Sequence, residues 1–102
     1  MNILIICRRG TIQSKFLAET LEKRGHDTRY RAAIIGPNVV TKEDVEWASK
    51  ILVFEDWMAN LFMDLKKVVL LGNVPDIYFS EEQRELREFC RNIIPYLGRY
   101  GI

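Results

Sequence analysis

Four consecutive apolar residues close to the start of the chain, Ile3-Leu4-Ile5-Ile6, leave no polar face. A strand of this kind has to be covered on both sides, as a central strand of a parallel sheet flanked by helices is. The run ends at Cys7, a short loop follows to Gln13, and Ser14 to Arg24 then carries apolar residues at helical spacing with Gly25 as a stop. Buried strand, tight loop and helix therefore occur in direct succession.

The remaining pattern repeats the alternation. Thr28 to Ile35 alternates weakly, which predicts a more exposed edge strand ended by Gly36-Pro37-Asn38. Thr41 and Asp44 have the spacing of a helix-start capping pair, predicting a helix to about Ser49, and Ile51 to Phe54 is a second buried strand. Asp56 to Lys66 is expected as an amphipathic helix with Trp57, Leu61, Phe62 and Leu65 on one side, followed by a fourth strand over Val68 to Leu71. Ser80 with Gln83 predicts the capping box of a last helix, whose stripe is Leu86, Phe89, Cys90, Ile93, Ile94 and Leu97. Strands alternating with helices give a parallel α/β sheet with right-handed crossovers, where ligands bind beyond the carboxyl ends of the strands. Cys7 lies at such an end.

Composition sets the outer bounds. A chain of 102 residues with 48% apolar content fits one domain over residues 1–102 with one continuous core. Fifteen Lys and Arg against fourteen Asp and Glu leave a formal charge of +1, far from the basic excess of nucleic-acid binders. The opening apolar run is too short for a membrane span, and Arg8-Arg9 follow it where a signal peptide would have them first. Cys7 and Cys90 lie near opposite ends without metal-type spacing, so the expectation is a reducing, cytoplasmic setting with no disulfide, metal or cofactor.

A loop that leads from a buried strand into a helix exposes successive backbone N–H groups, and the helix dipole adds partial positive charge there. Such a nest suits a phosphate. The same field favours the thiolate of a cysteine at its base, which then faces a bound phosphate as a nucleophile.

Cys7-Arg8-Arg9-Gly10-Thr11-Ile12-Gln13-Ser14 resembles the Cys-x5-Arg-Ser loop of the low-molecular-weight protein tyrosine phosphatases. Val40 to Ala48 followed by Ile51 to Glu55 is similar to that family's next helix and strand, and Val74-Pro75-Asp76-Ile77-Tyr78-Phe79 to the Pro-Asp-x-Tyr segment of a short subgroup. The resemblance implies the phosphotyrosine phosphatase I-like fold: a three-layer sandwich whose four-stranded parallel sheet has the order 2-1-3-4. It further implies Cys7 as nucleophile, Ser14 as the hydroxyl that stabilises its thiolate, and Asp76 as general acid. Residues Arg8 to Ser14 would line the phosphate, and Tyr78 would either flank an aromatic substrate or pack on the sheet edge.

The sequence departs from the family where Gln13 stands in place of the phosphate-clamping arginine. Removing one preorganised donor from a developing oxyanion costs ~3–4 kcal/mol, or roughly 10²–10³ in rate. Gln donates hydrogen bonds but supplies neither the charge nor the planar fork of a guanidinium. Arg8 and Arg9 are candidates for partial compensation or for attracting an anionic partner.

Three functions follow in order. The first is a phosphatase on phosphotyrosine or a related phosphomonoester, impaired by Gln13; the second is an inactive phosphate or phosphopeptide binder. The third is a phosphocarrier resembling the IIB components of sugar phosphotransferase systems, whose cysteine loop lacks arginine. The partner in each is a phosphorylated protein or small phosphomonoester, with no nucleic acid or membrane, and the oligomeric state is open. Cys90, Trp47 and Trp57 fall at core spacing, and His26 in its turn has no ligand or triad partner nearby.

Overall fold

The computed structural model describes residues 1–9, 13–62, 65–72 and 84–102. Its elements are β1 (Asn2–Cys7), α1 (Gln13–Glu22), β2 (Asp27–Ala32), α2 (Lys42–Trp47), β3 (Lys50–Val53), β4 (Val68–Leu70) and α3 (Arg84–Leu97). The four strands form one sheet in the order β2-β1-β3-β4, and every pairing is parallel. This is the expected sheet with the expected order.

β1 takes the centre because its side chains are apolar on both faces. Ile3, Ile5 and Cys7 join Leu17, Ala18, Leu21, Leu52, Phe54, Cys90 and Leu97 in the layer under α1 and α3. Leu4 and Ile6 point the other way, into a layer with Ile51, Val53, Met58 and Phe62. Ile3 to Ile6 are all fully buried, and each such side chain contributes about 1.5–3 kcal/mol by leaving water. The strand period of two has a consequence for chemistry: it turns Cys7 towards α1.

Two segments differ from the sequence expectation. The edge strand stops at Ala32 and does not run to Ile35: the Ala33 N–H makes the last ladder bond, to the Cys7 carbonyl at 2.9 Å, β1 itself ends at Cys7, and the chain bends from Ala33 to Gly36. Asp56 to Lys66 is not an amphipathic α-helix. It forms a 3-10 turn over Asp56–Leu61, an extended residue at Phe62 and a second 3-10 turn over Leu65–Lys67. The core takes Met58 and Phe62, leaving Leu61 49% exposed, so the buried stripe spans a single turn. Glu55, at the position that would cap the segment, makes no side-chain cap and instead hydrogen-bonds Arg8.

Elsewhere the described boundaries shift by one or two residues. Gly25 ends α1 with φ of 97°, and Thr41 caps α2, accepting from the Asp44 N–H while Asp44 accepts from the Thr41 N–H. On α3, Cys90 and Leu97 are buried and Phe89, Ile93 and Ile94 pack against the same layer. The expected capping box at Ser80 and Gln83 lies outside the described residues. Among the described residues no helix is long and apolar enough to cross a membrane.

The edge strand is held to α2 by a buried carboxylate. Asp44 accepts from Arg29 at 3.1 Å, Arg31 at 3.0 Å and the Thr41 hydroxyl at 3.0 Å, and the Arg29 guanidinium also stacks on Trp47 at 4.2 Å. Burial alone would raise the Asp44 pKa, but the Thr41 and Arg31 hydrogen bonds and the Arg31 charge outweigh it and hold the carboxyl below its ordinary value. A depressed folded-state pKa makes the contribution complete above the ordinary carboxylate range and lost as pH falls through the folded value. Asp44→Ala is expected to lower unfolding free energy by about 3 kcal/mol in denaturant titration at neutral pH. The difference from wild type should shrink as pH falls below about 4.

Candidate active site

The loop entrance is built by two buried surfaces that face each other. Cys7 is the last residue of β1 and is turned towards α1; Ser14 is on the first turn of α1 and is fully buried. Their Sγ and Oγ atoms lie 3.2 Å apart. A hydroxyl at that distance can donate to a thiolate, and it has a fixed position because Ser14 and Ala18 share the helix face that packs on the sheet. The expected nucleophile and its expected hydroxyl partner are thus brought together.

Gln13 is the first residue of α1 and only 1% exposed. It lies one turn before Leu17 and two before Leu21, so the apolar stripe that seats the helix carries Gln13 beneath it at the loop end. A polar residue at the loop end of a buried stripe is a sequence signal in its own right, independent of any family. The first turn of α1 contains no carboxylate that would oppose an anion at its N-terminus.

Arg8 goes elsewhere. The alternation that turns Cys7 towards α1 turns Arg8 to the opposite side, where its Nε and Nη2 donate to the two Glu55 carboxylate oxygens at 2.9 and 3.0 Å. The Arg8 guanidinium also lies 6.0 Å from the Trp57 ring centroid. Arg8 hydrogen bonding leads the effects on Glu55 and, with a Trp57 N–H bond, outweighs burial to hold its pKa below the ordinary value. Neither Glu55 nor Trp57 stood out as a site residue in the sequence. The available signal was register: Ile6 pairs with Val53, so the second residue beyond each, Arg8 and Glu55, meet at the carboxyl edge.

The turn after β2 braces the loop from the other side. Gly36 has φ of 141°, and a Cβ placed on it would stand 2.7 Å from the Arg9 carbonyl oxygen. Together with the Ala33 bond to the Cys7 carbonyl, this turn touches the loop backbone at two points. Arg9 itself is exposed. Gly10, Thr11 and Ile12 lie outside the described residues, as do Asp76 and Tyr78.

Cys90 is separate from this chemistry. Burial pushes its thiol up to about 12, the Thr20 hydroxyl offsetting only part of that, and its side chain belongs to the layer under α3. His26 contacts the N-terminal amine through Nδ1 at 3.3 Å.

No protein-family model matches the chain, and no curated protein sequence matches it. Solved structures do. The YwlE arginine phosphatase of Geobacillus stearothermophilus is 19% identical over 97% of this chain and 94% of its own, with a TM-score of 0.66. A low molecular weight protein tyrosine phosphatase from Bacillus subtilis is 18% identical over 97% and 98%, with a TM-score of 0.71. A YwlE arginine phosphatase in which serine replaces cysteine and the active-site serine is phosphorylated is 17% identical over 97% of each chain, also with a TM-score of 0.71. The chain has the fold of the low molecular weight protein tyrosine phosphatases, and at such identities the likeness speaks to fold alone.

Two outcomes are expected from the geometry. Gly36→Ala places a methyl group against the Arg9 carbonyl in a backbone region disfavoured for L-residues, and should cost about 1–3 kcal/mol in denaturant titration. Iodoacetamide at pH 8 should leave Cys90 unmodified in the folded chain and label it only under denaturing conditions, as peptide mass mapping would read.

Proposed function

We propose that the chain acts on phosphorylated protein or a small phosphomonoester through Cys7, with turnover limited by Gln13. The observation that carries this reading is the 3.2 Å approach of Ser14 Oγ to Cys7 Sγ at the N-terminus of α1, at the carboxyl edge of the central strand. Support also comes from the phosphatases that share the fold, among them a variant phosphorylated on the serine that replaces a cysteine.

In the proposed reaction the loop from Cys7 to Ser14, including Arg8, Arg9, Gly10, Thr11 and Ile12, holds the phosphoryl group at the helix N-terminus. The Cys7 thiolate attacks phosphorus, the S–P bond forms and the bond to the leaving oxygen breaks. Asp76 delivers its proton to that oxygen. The Asp76 carboxylate then takes a proton from water as the water oxygen attacks phosphorus; the S–P bond breaks, returning the thiolate and releasing inorganic phosphate. Ser14 stabilises the thiolate at both ends of the cycle, and Tyr78 would flank the substrate.

Gln13 favours a second reading, an inactive phosphate or phosphopeptide binder. Its amide can donate to a phosphoryl oxygen but brings no positive charge to the equatorial oxygens, so ground-state binding suffers less than catalysis. A phosphotransferase-type carrier, which needs no general acid, ranks third.

The test is phosphate release from para-nitrophenyl phosphate, and from phosphotyrosine and phosphoarginine peptides, by wild type, Cys7→Ser and Gln13→Arg. Low wild-type turnover abolished in Cys7→Ser and raised roughly 10²–10³-fold in Gln13→Arg is the expected result. Silence in wild type with activity in Gln13→Arg would favour the binder. Turnover that survives Cys7→Ser would remove the nucleophile assignment.

A further inference from the structure

The Arg8 and Glu55 pair has a geometry suited to exchange. Its two members are unequal: the Arg8 side chain is 49% exposed, whereas that of Glu55 is 9% exposed. If the pair opens, Glu55 stays seated in its buried position, while Arg8 has the long, half-exposed arm. Arg8 is also covalently next to Cys7, with adjacent Cα atoms about 3.8 Å apart, and shares its loop. Its fork matches phosphate as well as carboxylate, two oxygens in one plane.

We propose that Arg8 is the guanidinium of the anion site, parked on Glu55 when the site is empty and transferred to the phosphoryl oxygens when it fills. Glu55 is then a positioning residue that competes with the substrate for Arg8. The inference rests on the phosphate-site reading given above and adds to it the residue that replaces the missing charge at position 13. A guanidinium drawn from an existing ion pair delivers less net binding than one held ready, so the phosphate affinity expected here is lower than that of a loop with its own arginine. The Trp57 ring, 6.0 Å from the guanidinium in the parked state, forms the wall along which the arm moves.

The exchange is read directly by the arginine Nε–H signals in two-dimensional NMR of the full chain, titrated with inorganic phosphate alongside the backbone amides. In wild type the Arg8 signal should shift saturably together with the amides of residues 13 and 14, while those of Arg29 and Arg31, bound to Asp44, stay in place. In Glu55→Gln the same shift should saturate at roughly tenfold lower phosphate, and in Arg8→Ala the amides should need roughly tenfold more. Thermal unfolding of each variant, together with unchanged Arg29 and Arg31 signals, establishes that the fold is retained. If the loop amides respond at saturating phosphate while Arg8 does not move, the exchange is wrong and the phosphate site stands. If neither responds, both fail.

Discussion

The architecture depends on where a fully buried strand ends. β1 is apolar on both faces, so it can only be central, and its period of two then fixes that Cys7 looks at α1 while Arg8 looks away from it. Helix α1 is seated by Leu17, Ala18 and Leu21, and the same face carries Gln13 and Ser14 to the loop. The 3.2 Å contact between Cys7 and Ser14 is the meeting of these two packing decisions. A shift of either element by one residue would turn one of the two side chains out of the layer.

Around that contact, the loop is fixed by groups that belong to other strands. Glu55 lies just beyond β3 and holds Arg8; the turn after β2 reaches the backbone at Cys7 and Arg9. The edge strand beneath that turn is in turn held by Asp44 through Arg29 and Arg31. The site is therefore a product of the sheet as a whole.

Much of this was legible in the residues. The run Ile3 to Ile6, the succession of strand and helix, and Gly25 as a stop are local signals for the central strand and the first helix, and the family resemblance added the sheet order and the approach of Ser14 to Cys7. What was not legible was non-local. The segment from Asp56 has helical spacing but only one turn of core to meet, and the residue that would cap it is engaged by an arginine 47 positions away. The edge strand is shorter than its alternation suggests because its partner β1 ends at Cys7, which pairs with Ala32 across 25 positions of chain, a limit that alternation cannot foretell. Glu55 entered the site through strand register, and Trp57 through the 3-10 turn that follows it, neither through a motif.

The claim that the rest serves is that Cys7 takes a phosphoryl group. The most direct measurement is intact-mass and peptide spectrometry after rapid acid quench of the chain mixed with a phosphorylated aryl substrate. One phosphoryl group on Cys7 is expected, surviving the quench and absent in Cys7→Ser treated identically. A Cys7 that stays unmodified at every time point while the substrate is consumed would contradict it.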